Sequence, residues 1–388
     1  MKDQGKIIAE TQAYACLDCG KCTAVCPLTR HGAAFSPRML VYDALHRDAD
    51  ILLNGGGLWE CLTCGRCESI CTSGVRYGEF IKALRGLAHD LGVSGRCTHG
   101  GALQALMHIM TAEDLKQSRL DWLSKQLEVT TKSEILFFVG CVPYFDVFFA
   151  DLDVATLRAP KGSIALLNHL GIVPALLPDE RCCGHDLLTS GDIEGFRKLA
   201  GINLEQIRRS GAKRMVLSCA EGYYTFKYLY PRYGKDTGLE ILHITEVLAR
   251  AVSEGKLKFS IPMKRRVVFH DPCRLGRLSG IYDAPRTLLE AIPGLEVAEM
   301  RFNRSSALCC GTQSWMNCGA VNKQIQMELL KEARATGADL LLTACPKCQI
   351  HLRCAMRDEK AGADVQMEIE DVARFAASAL WPGRRFIA

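Results

Sequence analysis

An eleven-residue cysteine motif occurs twice near the N-terminus and constrains this chain more than any other feature. Residues 16–26 read CLDCGKCTAVC and residues 61–71 read CLTCGRCESIC, so one spacing recurs after 45 residues. Three thiolates with this spacing wrap three corners of a [4Fe–4S] cube from one loop, whereas the fourth cysteine is directed to a second cube. The predicted ligands are Cys16, Cys19, Cys22 and Cys71 for the first cube and Cys61, Cys64, Cys67 and Cys26 for the second.

Two structural zinc sites are the alternative interpretation, because they also use cysteine pairs two residues apart. Zinc does not require eight cysteines in two copies of this spacing, so iron–sulfur cubes are favoured. The copies differ after their fourth cysteine, where Pro27 follows Cys26 but Thr72 follows Cys71. This difference changes the local turn and leaves the ligand in place.

The 20 cysteines of this 388-residue chain also bear on its compartment. They would indicate disulfides in an exported protein, but residues 1–10 lack the apolar core of a signal peptide. We therefore expect a reducing cytoplasm, where clustered cysteines bind metal. No segment reaches roughly 18 uninterrupted apolar residues, so we expect a soluble chain that could still join a membrane partner. The net charge of +5 and short basic clusters argue against nucleic-acid binding.

A second, longer repeat organises the rest of the chain. Cys141, Cys182-Cys183 and Cys219 recur about 130 residues later as Cys273, Cys309-Cys310 and Cys345. Self-similarity at a fixed period is typical of duplicated structural units. It predicts a helical ferredoxin module over 1–92, a helical linker over 93–132 and two similar lobes over 133–262 and 263–388. Within the first two parts, we predict helices over 37–47, 78–91 and 102–127, the last broken near Thr111.

The cysteines of each lobe follow short apolar runs. These runs are predicted to be buried parallel strands, and they cover 135–139, 214–217, 266–269 and 340–342. Helical segments over 196–209 and 323–335 precede two of them. Alternating helices and strands predict doubly wound α/β lobes, in which ligands bind beyond the carboxyl ends of the strands. The cysteines fall at those ends, where a cluster can be assembled.

These motifs resemble known families. The N-terminal module resembles the C subunit of heterodisulfide reductase, and Cys309-Cys310-Gly311 with Cys345-Pro346-Lys347-Cys348 resembles the cysteine-rich CCG motif of its B-type and D-type subunits. The whole chain resembles the D-type subunit, a C–B fusion also found in anaerobic glycerol-3-phosphate and glycolate oxidoreductases and in tungsten-type benzoyl-CoA reductase complexes. The resemblance implies a noncubane [4Fe–4S] cluster on Cys273, Cys309, Cys310, Cys345 and Cys348.

The first lobe departs from this pattern, because Gly222 stands where a fifth cysteine is expected. The remaining Cys141, Cys182, Cys183 and Cys219 could bind an ordinary [4Fe–4S] cluster, a zinc ion or nothing, and the sequence leaves these alternatives open. Family disulfide reductases use two complete sites facing one substrate pocket. One incomplete site therefore places symmetric attack on a disulfide in doubt.

The remaining polar groups are weaker candidates. His270, Asp271 and His185 flank cysteines and could tune a cluster or satisfy loop backbone, whereas Cys97, Cys318 and Cys354 fit neither repeat and receive no role. No Gly-x-Gly-x-x-Gly or Walker loop is present, so nicotinamide or nucleotide chemistry is not expected.

Together these observations predict an iron–sulfur electron-transfer subunit of an anaerobic, multi-subunit oxidoreductase. Electrons would pass between the cubes and the cluster of the second lobe, and flavin-, iron–sulfur-, quinone- or haem-linked subunits would be the partners. An electron-transfer role is favoured over an independent active site, and no catalytic residue is assigned. The rival hypotheses are a catalytic heterodisulfide (thiol–disulfide) reductase and a zinc-stabilised scaffold.

Overall fold

The computed structural model describes residues 3–47, 49–54, 57–359 and 362–381. The chain divides into two compact units. The first combines Met1–Thr111 with Gly184–Lys198 and Leu308–Gln326, and the second combines Ala112–Cys183, Leu199–Ala307 and Met327–Ala388. The first unit therefore contains the segment that follows Cys182-Cys183 and the segment that includes Cys309-Cys310.

The N-terminal part of the first unit is helical, as predicted. Its α-helices are α1 (Gln4–Glu10), α2 (Lys21–Val25), α3 (Pro27–Arg30), α4 (Pro37–His46), α5 (Ala49–Asn54), α6 (Gly57–Glu60), α7 (Tyr77–Asp90) and α8 (Ala102–Ile109). Helix α4 begins where the Ser36 hydroxyl accepts a hydrogen bond from the Met39 amide and Pro37 occupies the first turn. Helix α7 buries Phe80, Ile81 and Leu84 completely, so it forms the centre of this unit's core.

The helix expected over 102–127 is only partly present. Helix α8 ends at Ile109, and residues 112–127 form turns without a further α-helix. The helix predicted from the apolar spacing of residues 115–127 is therefore wrong. Arg119 lies in this segment and is held by hydrogen bonds to the backbone of Gly140 and Glu180, which a regular helix would not provide.

The first lobe is a parallel α/β structure. Its elements are β1 (Ile135–Phe138), α9 (Val142–Phe148), α10 (Arg158–His169), α11 (His185–Thr189), α12 (Ile193–Ser210), β2 (Arg214–Leu217), α13 (Ala220–Tyr224), α14 (Tyr230–Arg232), β3 (Glu240–His243) and α15 (Ile244–Ser253). The strands pair in the order β1-β2-β3, all parallel. Ala175 bridges to Leu136 on the other side of β1 and marks a fourth position in the sheet.

The second lobe repeats this arrangement. Its elements are β4 (Arg266–His270), α16 (Asp283–Glu290), β5 (Glu296–Ala298), α17 (Ala320–Ala335), β6 (Leu340–Thr343), α18 (Pro346–Met356), β7 (Glu368–Asp371) and α19 (Val372–Ser378). The strand order β5-β4-β6-β7 matches that of the first lobe, with β5 at the position of Ala175. The predicted pair of similar parallel α/β lobes is confirmed, although β3, β5 and β7 were not foreseen.

Both sheets lie in the second unit, where the lobes pack through equivalent helices. Helix α10 contacts α19, and α15 contacts α16. Because α10 corresponds to α16 and α15 to α19 in the duplication, these two contacts are related by a local two-fold. Gly162 permits the first contact, since a Cβ there would lie 2.6 Å from the Cα of Arg374.

Candidate iron–sulfur sites

The two N-terminal cysteine motifs adopt the same local backbone. Asp18 and Thr63, at matching positions, have φ angles of 52° and 46°, and Gly20 and Gly65 have φ angles of 76° and 73°. This left-handed region favours glycine, which explains why both motifs have glycine at this position. The two motifs therefore share one repeated turn between their first and third cysteines.

The cysteines predicted to bind the second cube line one cavity. Cys26, Cys61, Cys64 and Cys67 line this cavity together with apolar residues such as Leu28 and Phe35. Cys26 comes from the first motif and the other three come from the second. The structure thus brings together the four thiols of the exchanged set. A cavity with an apolar lining and four thiols fits a cubic cluster in its donor chemistry.

The electrostatics of this cavity also fit a metal centre. Burial raises the pKa of the Cys61 thiol to about 12 and raises those of Cys26 and Cys67, because a lone thiolate is poorly solvated there. Thiolates packed this closely also repel one another. A bound cation reverses both effects, since metal ligation stabilises the deprotonated thiol.

The cysteines predicted to bind the first cube are more exposed. Burial, together with the neighbouring Cys16 and Cys19, raises the pKa of Cys22, although hydrogen bonds from Thr23 oppose this. Helix α2 packs against the short 3-10 helix 68–70, which directly precedes Cys71. Burial also acts to raise the pKa of Cys71, but hydrogen bonds from the Ser73 hydroxyl and the backbone of 73–75 outweigh it and lower the pKa. These hydrogen bonds favour the deprotonated form of the Cys71 thiol, and the helix packing places its segment beside the first motif.

The four cysteines of the first CCG sequence all lie in the second unit. Cys182 and Cys183 are buried, and Cys141 and Cys219 are half-buried. The Glu180 carboxylate accepts hydrogen bonds from the amides of Gly140 (2.6 Å) and Val139 (3.2 Å), directly before Cys141. Arg119 donates to the same carboxylate at 2.7 Å, and both side chains are 1% exposed. This buried pair ties the Cys141 loop to the segment that leads into Cys182.

The five cysteines of the second CCG sequence are divided between the units. Cys273, Cys345 and Cys348 belong to the second unit, whereas Cys309 and Cys310 belong to the first. Cys345 is the N-cap of α18 and Cys348 lies in its first turn, both buried. Cys309 accepts a hydrogen bond from the Gly311 amide at 3.4 Å.

A buried carboxylate–arginine pair also supports the second lobe. Asp271 accepts two hydrogen bonds of 2.9 Å from Arg286 and one of 2.7 Å from the Arg304 amide. Asp271 therefore anchors the loop before Cys273, which is the backbone role considered for it in the sequence. His270 lies 3.4 Å from the Thr343 hydroxyl, and His185 lies 3.2 Å from the Asp186 carboxylate.

Equivalent positions of the two lobes meet at the local two-fold. The Cys219 thiol lies within hydrogen-bond range of its counterpart Cys345, and this contact together with burial raises its pKa. Glu221 and Lys347, also at equivalent positions, form an ion pair of 2.7 Å with both side chains largely buried. The central cysteines of the two CCG sequences are therefore neighbours.

His243 supports this junction. It is fully buried at the start of α15, and burial lowers its pKa to about 4 against the opposing carbonyl groups of Ser218 and Ala344. Its imidazole is thus neutral at physiological pH. The two carbonyl groups directly precede Cys219 and Cys345, so His243 lies beside both cysteine loops.

The supporting residues Glu180, Arg119 and His243 carried no recognisable sequence signal. Glu180 lies two residues before Cys182-Cys183 and could only have been noticed as an acidic residue beside a cysteine pair. Of the cysteines without an assigned role, Cys97 is exposed, and Cys318 and Cys354 are half-buried. Within the described part of the chain, no helix combines the length and apolar character needed to cross a membrane.

Comparisons with known proteins agree with the repeats. A family model for the 4Fe-4S dicluster domain matches residues 12–75, and one for the CCG cysteine-rich domain matches residues 135–227 and 267–353. The chain is 32% identical over 272 residues to the D-type subunit of the dihydromethanophenazine:CoB–CoM heterodisulfide reductase of Methanosarcina barkeri, which covers 68% of this chain and 63% of that protein. It therefore spans less than two thirds of that relative's length.

Two further relatives extend this picture. The protein of the same name from Methanosarcina mazei is 31% identical over 317 residues, which is 79% of this chain and 74% of that protein. The EtfAB:quinone oxidoreductase of Syntrophomonas wolfei is 32% identical over 250 residues, which is 62% of this chain and 33% of that protein. Its dicluster domain is followed by two CCG domains, and the chain belongs to the iron–sulfur oxidoreductase family of the D-type heterodisulfide reductase subunits.

Proposed function

We propose that this chain relays single electrons between two [4Fe–4S] cubes and a noncubane [4Fe–4S] cluster at the second CCG sequence. The observation that carries the proposal is the cavity lined by Cys26, Cys61, Cys64 and Cys67, which joins thiols from both N-terminal motifs. Exchanged ligands hold two cubes close together, and closely spaced cubes favour rapid electron transfer between them.

In this proposal the clusters supply the redox chemistry and the chain supplies binding and insulation. The ligands would be the sets named from the sequence, with Cys273, Cys309, Cys310, Cys345 and Cys348 at the noncubane site. Burial of Cys61, Cys345 and Cys348 keeps water from the thiolates, whereas the half-buried Cys16 and the exposed Cys19 lie nearer the surface. The more exposed set is the natural entry or exit point for an electron.

We further propose that the chain works in the cytoplasm as one component of a larger anaerobic oxidoreductase. A partner subunit would be able to hold it at the inner face of a membrane. Relatives bear names such as heterodisulfide reductase and EtfAB:quinone oxidoreductase. These names support a flavin-, iron–sulfur- or quinone/haem-linked partner. The motif with the half-buried Cys16 and the exposed Cys19 would face this partner.

The test is metal analysis of protein purified without oxygen. We expect about eight irons in the cubes and about four at the second CCG sequence, with matching sulfide. The Cys26→Ser variant should lose the second cube and keep the first. Cys97→Ser is the matched control, because Cys97 is exposed and belongs to neither repeat. Stoichiometric zinc with almost no iron would instead establish the zinc-stabilised scaffold.

A thiol–disulfide reductase is the second candidate, and the proximity of Cys219 to Cys345 favours it. Two cysteine sites that meet at a local two-fold resemble a pair of sites facing one substrate. This candidate predicts a paramagnetic species when the oxidised protein is treated with a single thiol substrate. Cubes that reduce normally without that species would leave the relay as the function.

A further inference from the structure

Arg85 is a completely buried arginine at the centre of the first unit. It lies in α7, is 0% exposed and donates six hydrogen bonds. Burial of a guanidinium is costly unless its donors are satisfied, so a site that satisfies this many donors is built around the side chain. Its guanidinium carbon also lies 5.6 Å from the centre of the Trp59 ring.

The hydrogen bonds of Arg85 reach three loops that each adjoin predicted cluster ligands. One Nη atom donates to the carbonyl of Cys61 at 2.7 Å. The other donates to the Thr189 carbonyl at 3.0 Å and to the Gln313 side-chain oxygen at 2.8 Å. Thr189 ends the helix that follows Cys182-Cys183, and Gln313 lies three residues after Cys310. One guanidinium thus connects the second cube's loop to both CCG-derived segments of this unit.

Close backbone packing fixes this arrangement. A Cβ on Gly191, whose φ is +98°, would lie 2.3 Å from the Arg85 carbonyl oxygen. A Cβ on Gly86 would lie 2.9 Å from the Ile193 side chain. Helix α7 therefore contacts the segment 189–193 at the closest distance that glycine allows. The position of Arg85 is set by the backbone, so its donors are oriented before any electron arrives.

The charge of Arg85 acts on the second cube. The completely buried guanidinium donates to the Cys61 carbonyl at 2.7 Å, so a positive charge lies beside the backbone of this predicted ligand. One-electron reduction adds one negative charge to a cube and moves no heavy atom. A buried cation beside a ligand stabilises the more negative state, because the interior screens charges weakly.

We propose that Arg85 is a positioning residue for electron transfer, which raises the reduction potential of the cube on Cys26, Cys61, Cys64 and Cys67 and connects that cube to the loop of Cys309 and Cys310. The inference rests on the proposed relay. In the step concerned, the reduced cube loses one electron, and the CCG cluster gains it. The electron reaches the cube from a low-potential one-electron donor. A bonded route runs from Cys61 through two hydrogen bonds of Arg85 to Gln313 and on to Cys310.

The test compares Arg85→Gln and Arg85→Lys by redox titration followed by electron paramagnetic resonance. Cys26→Ser assigns the signals of the two cubes. In Arg85→Gln the equilibrium constant for reduction of the second cube should fall by about tenfold or more. For one electron, a tenfold change lowers the reduction potential by about 59 mV. The first cube should not shift. Arg47→Gln is the matched control, since it removes the same charge from an exposed position paired with Asp43.

Arg85→Lys separates charge from geometry. Lysine keeps the charge but cannot form the fork of hydrogen bonds. The reduction potential of the second cube should stay close to the wild-type value. Electron transfer from this cube to the CCG cluster, followed after rapid mixing with dithionite, should slow by about tenfold or more. This variant also keeps the test decisive if Arg85→Gln fails to fold.

The outcomes separate the two proposals. Wild-type protein without cubes would overturn the relay itself. Wild-type protein with cubes, together with unchanged potentials in Arg85→Gln or an unchanged transfer rate in Arg85→Lys, would overturn the role of Arg85 alone. A shift of both cubes by the same amount would also contradict it, because the effect would then be a general loss of stability.

Discussion

The two CCG lobes share a backbone but differ in their cysteine content. The three strands of the first sheet have the same order as β4-β6-β7 of the second. Cys219 after β2 and Cys345 after β6 each precede a helix. The second lobe continues with Cys345-Pro346-Lys347-Cys348, whereas the first continues with Cys219-Ala220-Glu221-Gly222. At the missing fifth position the Gly222 amide donates to the Cys219 sulfur at 3.5 Å.

Both lobes have a buried carboxylate–arginine pair that supports the loop of their first cysteine. Glu180 with Arg119 supports Cys141, and Asp271 with Arg286 supports the loop of Cys273. The pairs come from different places in the sequence and carry out the same task. Buried hydrogen bonds thus support the cysteine loops of both lobes, although the two lobes differ in the number of cysteines.

Removing one predicted ligand from each lobe should give the largest difference. Cys345→Ser should lose about four irons and the spectroscopic signal of the CCG cluster, with the cubes retained. Cys141→Ser should leave that signal in place, because its thiol belongs to the other lobe. Iron analysis and paramagnetic resonance of both variants check this. Loss of the same signal in Cys141→Ser would mean that the lobes share one cluster.

Exchanging the residues at the fifth cysteine position, Gly222 and Cys348, should change how much iron each lobe binds. Gly222→Cys should add up to about four irons, and Cys348→Gly should remove a similar number. A Cβ at position 222 would lie 3.1 Å from the end of the Leu217 side chain, which a small rotation accommodates. An unchanged iron content in folded Gly222→Cys protein would show that the missing thiol does not decide what the first lobe binds.

Much of this architecture was predictable from the sequence. The strands over 214–217 and 266–269 and the helix over 323–335 were located to within a few residues, because apolar runs and helical periodicity directly report burial. The exchanged cysteine set was also predictable, since its spacing carries the chemistry. Its four members line one cavity, although ligation itself remains a prediction.

The remaining features depend on distant contacts. Strand β7, over Glu368–Asp371, contains three acidic residues in four, so its composition does not indicate a strand. Burial beside β6 overrides that preference. Arg85 appears in the sequence as an ordinary helical arginine. Its role depends on Thr189 and Gln313, which lie 104 and 228 residues further along the chain.

The shared carboxylate–arginine pairs can be tested by breaking one of them. Glu180→Ala leaves Arg119 buried without this carboxylate and should lower the free energy of unfolding by about 3–5 kcal/mol. Glu180→Gln should cost less, because an amide oxygen still accepts from the Gly140 amide. Denaturant unfolding measures both. The control Glu205→Ala removes an exposed pair with Arg209 and should cost about 0–1 kcal/mol. Equal effects of Glu180→Ala and this control would contradict a supporting role.

The lobe interface should show the smallest effect. Gly162→Ala places a methyl group against the backbone of Arg374, where α10 meets α19, and should cost about 1–3 kcal/mol because neither backbone can rotate away. Gly201→Ala is the matched control within α12, where a Cβ would meet no atom within 4 Å. It should increase stability by about 0.5–1 kcal/mol, since alanine loses less conformational freedom than glycine in a helix. If both substitutions stabilised the protein, the lobes would not be held at this contact. The meeting of Cys219 with Cys345 would then need another cause.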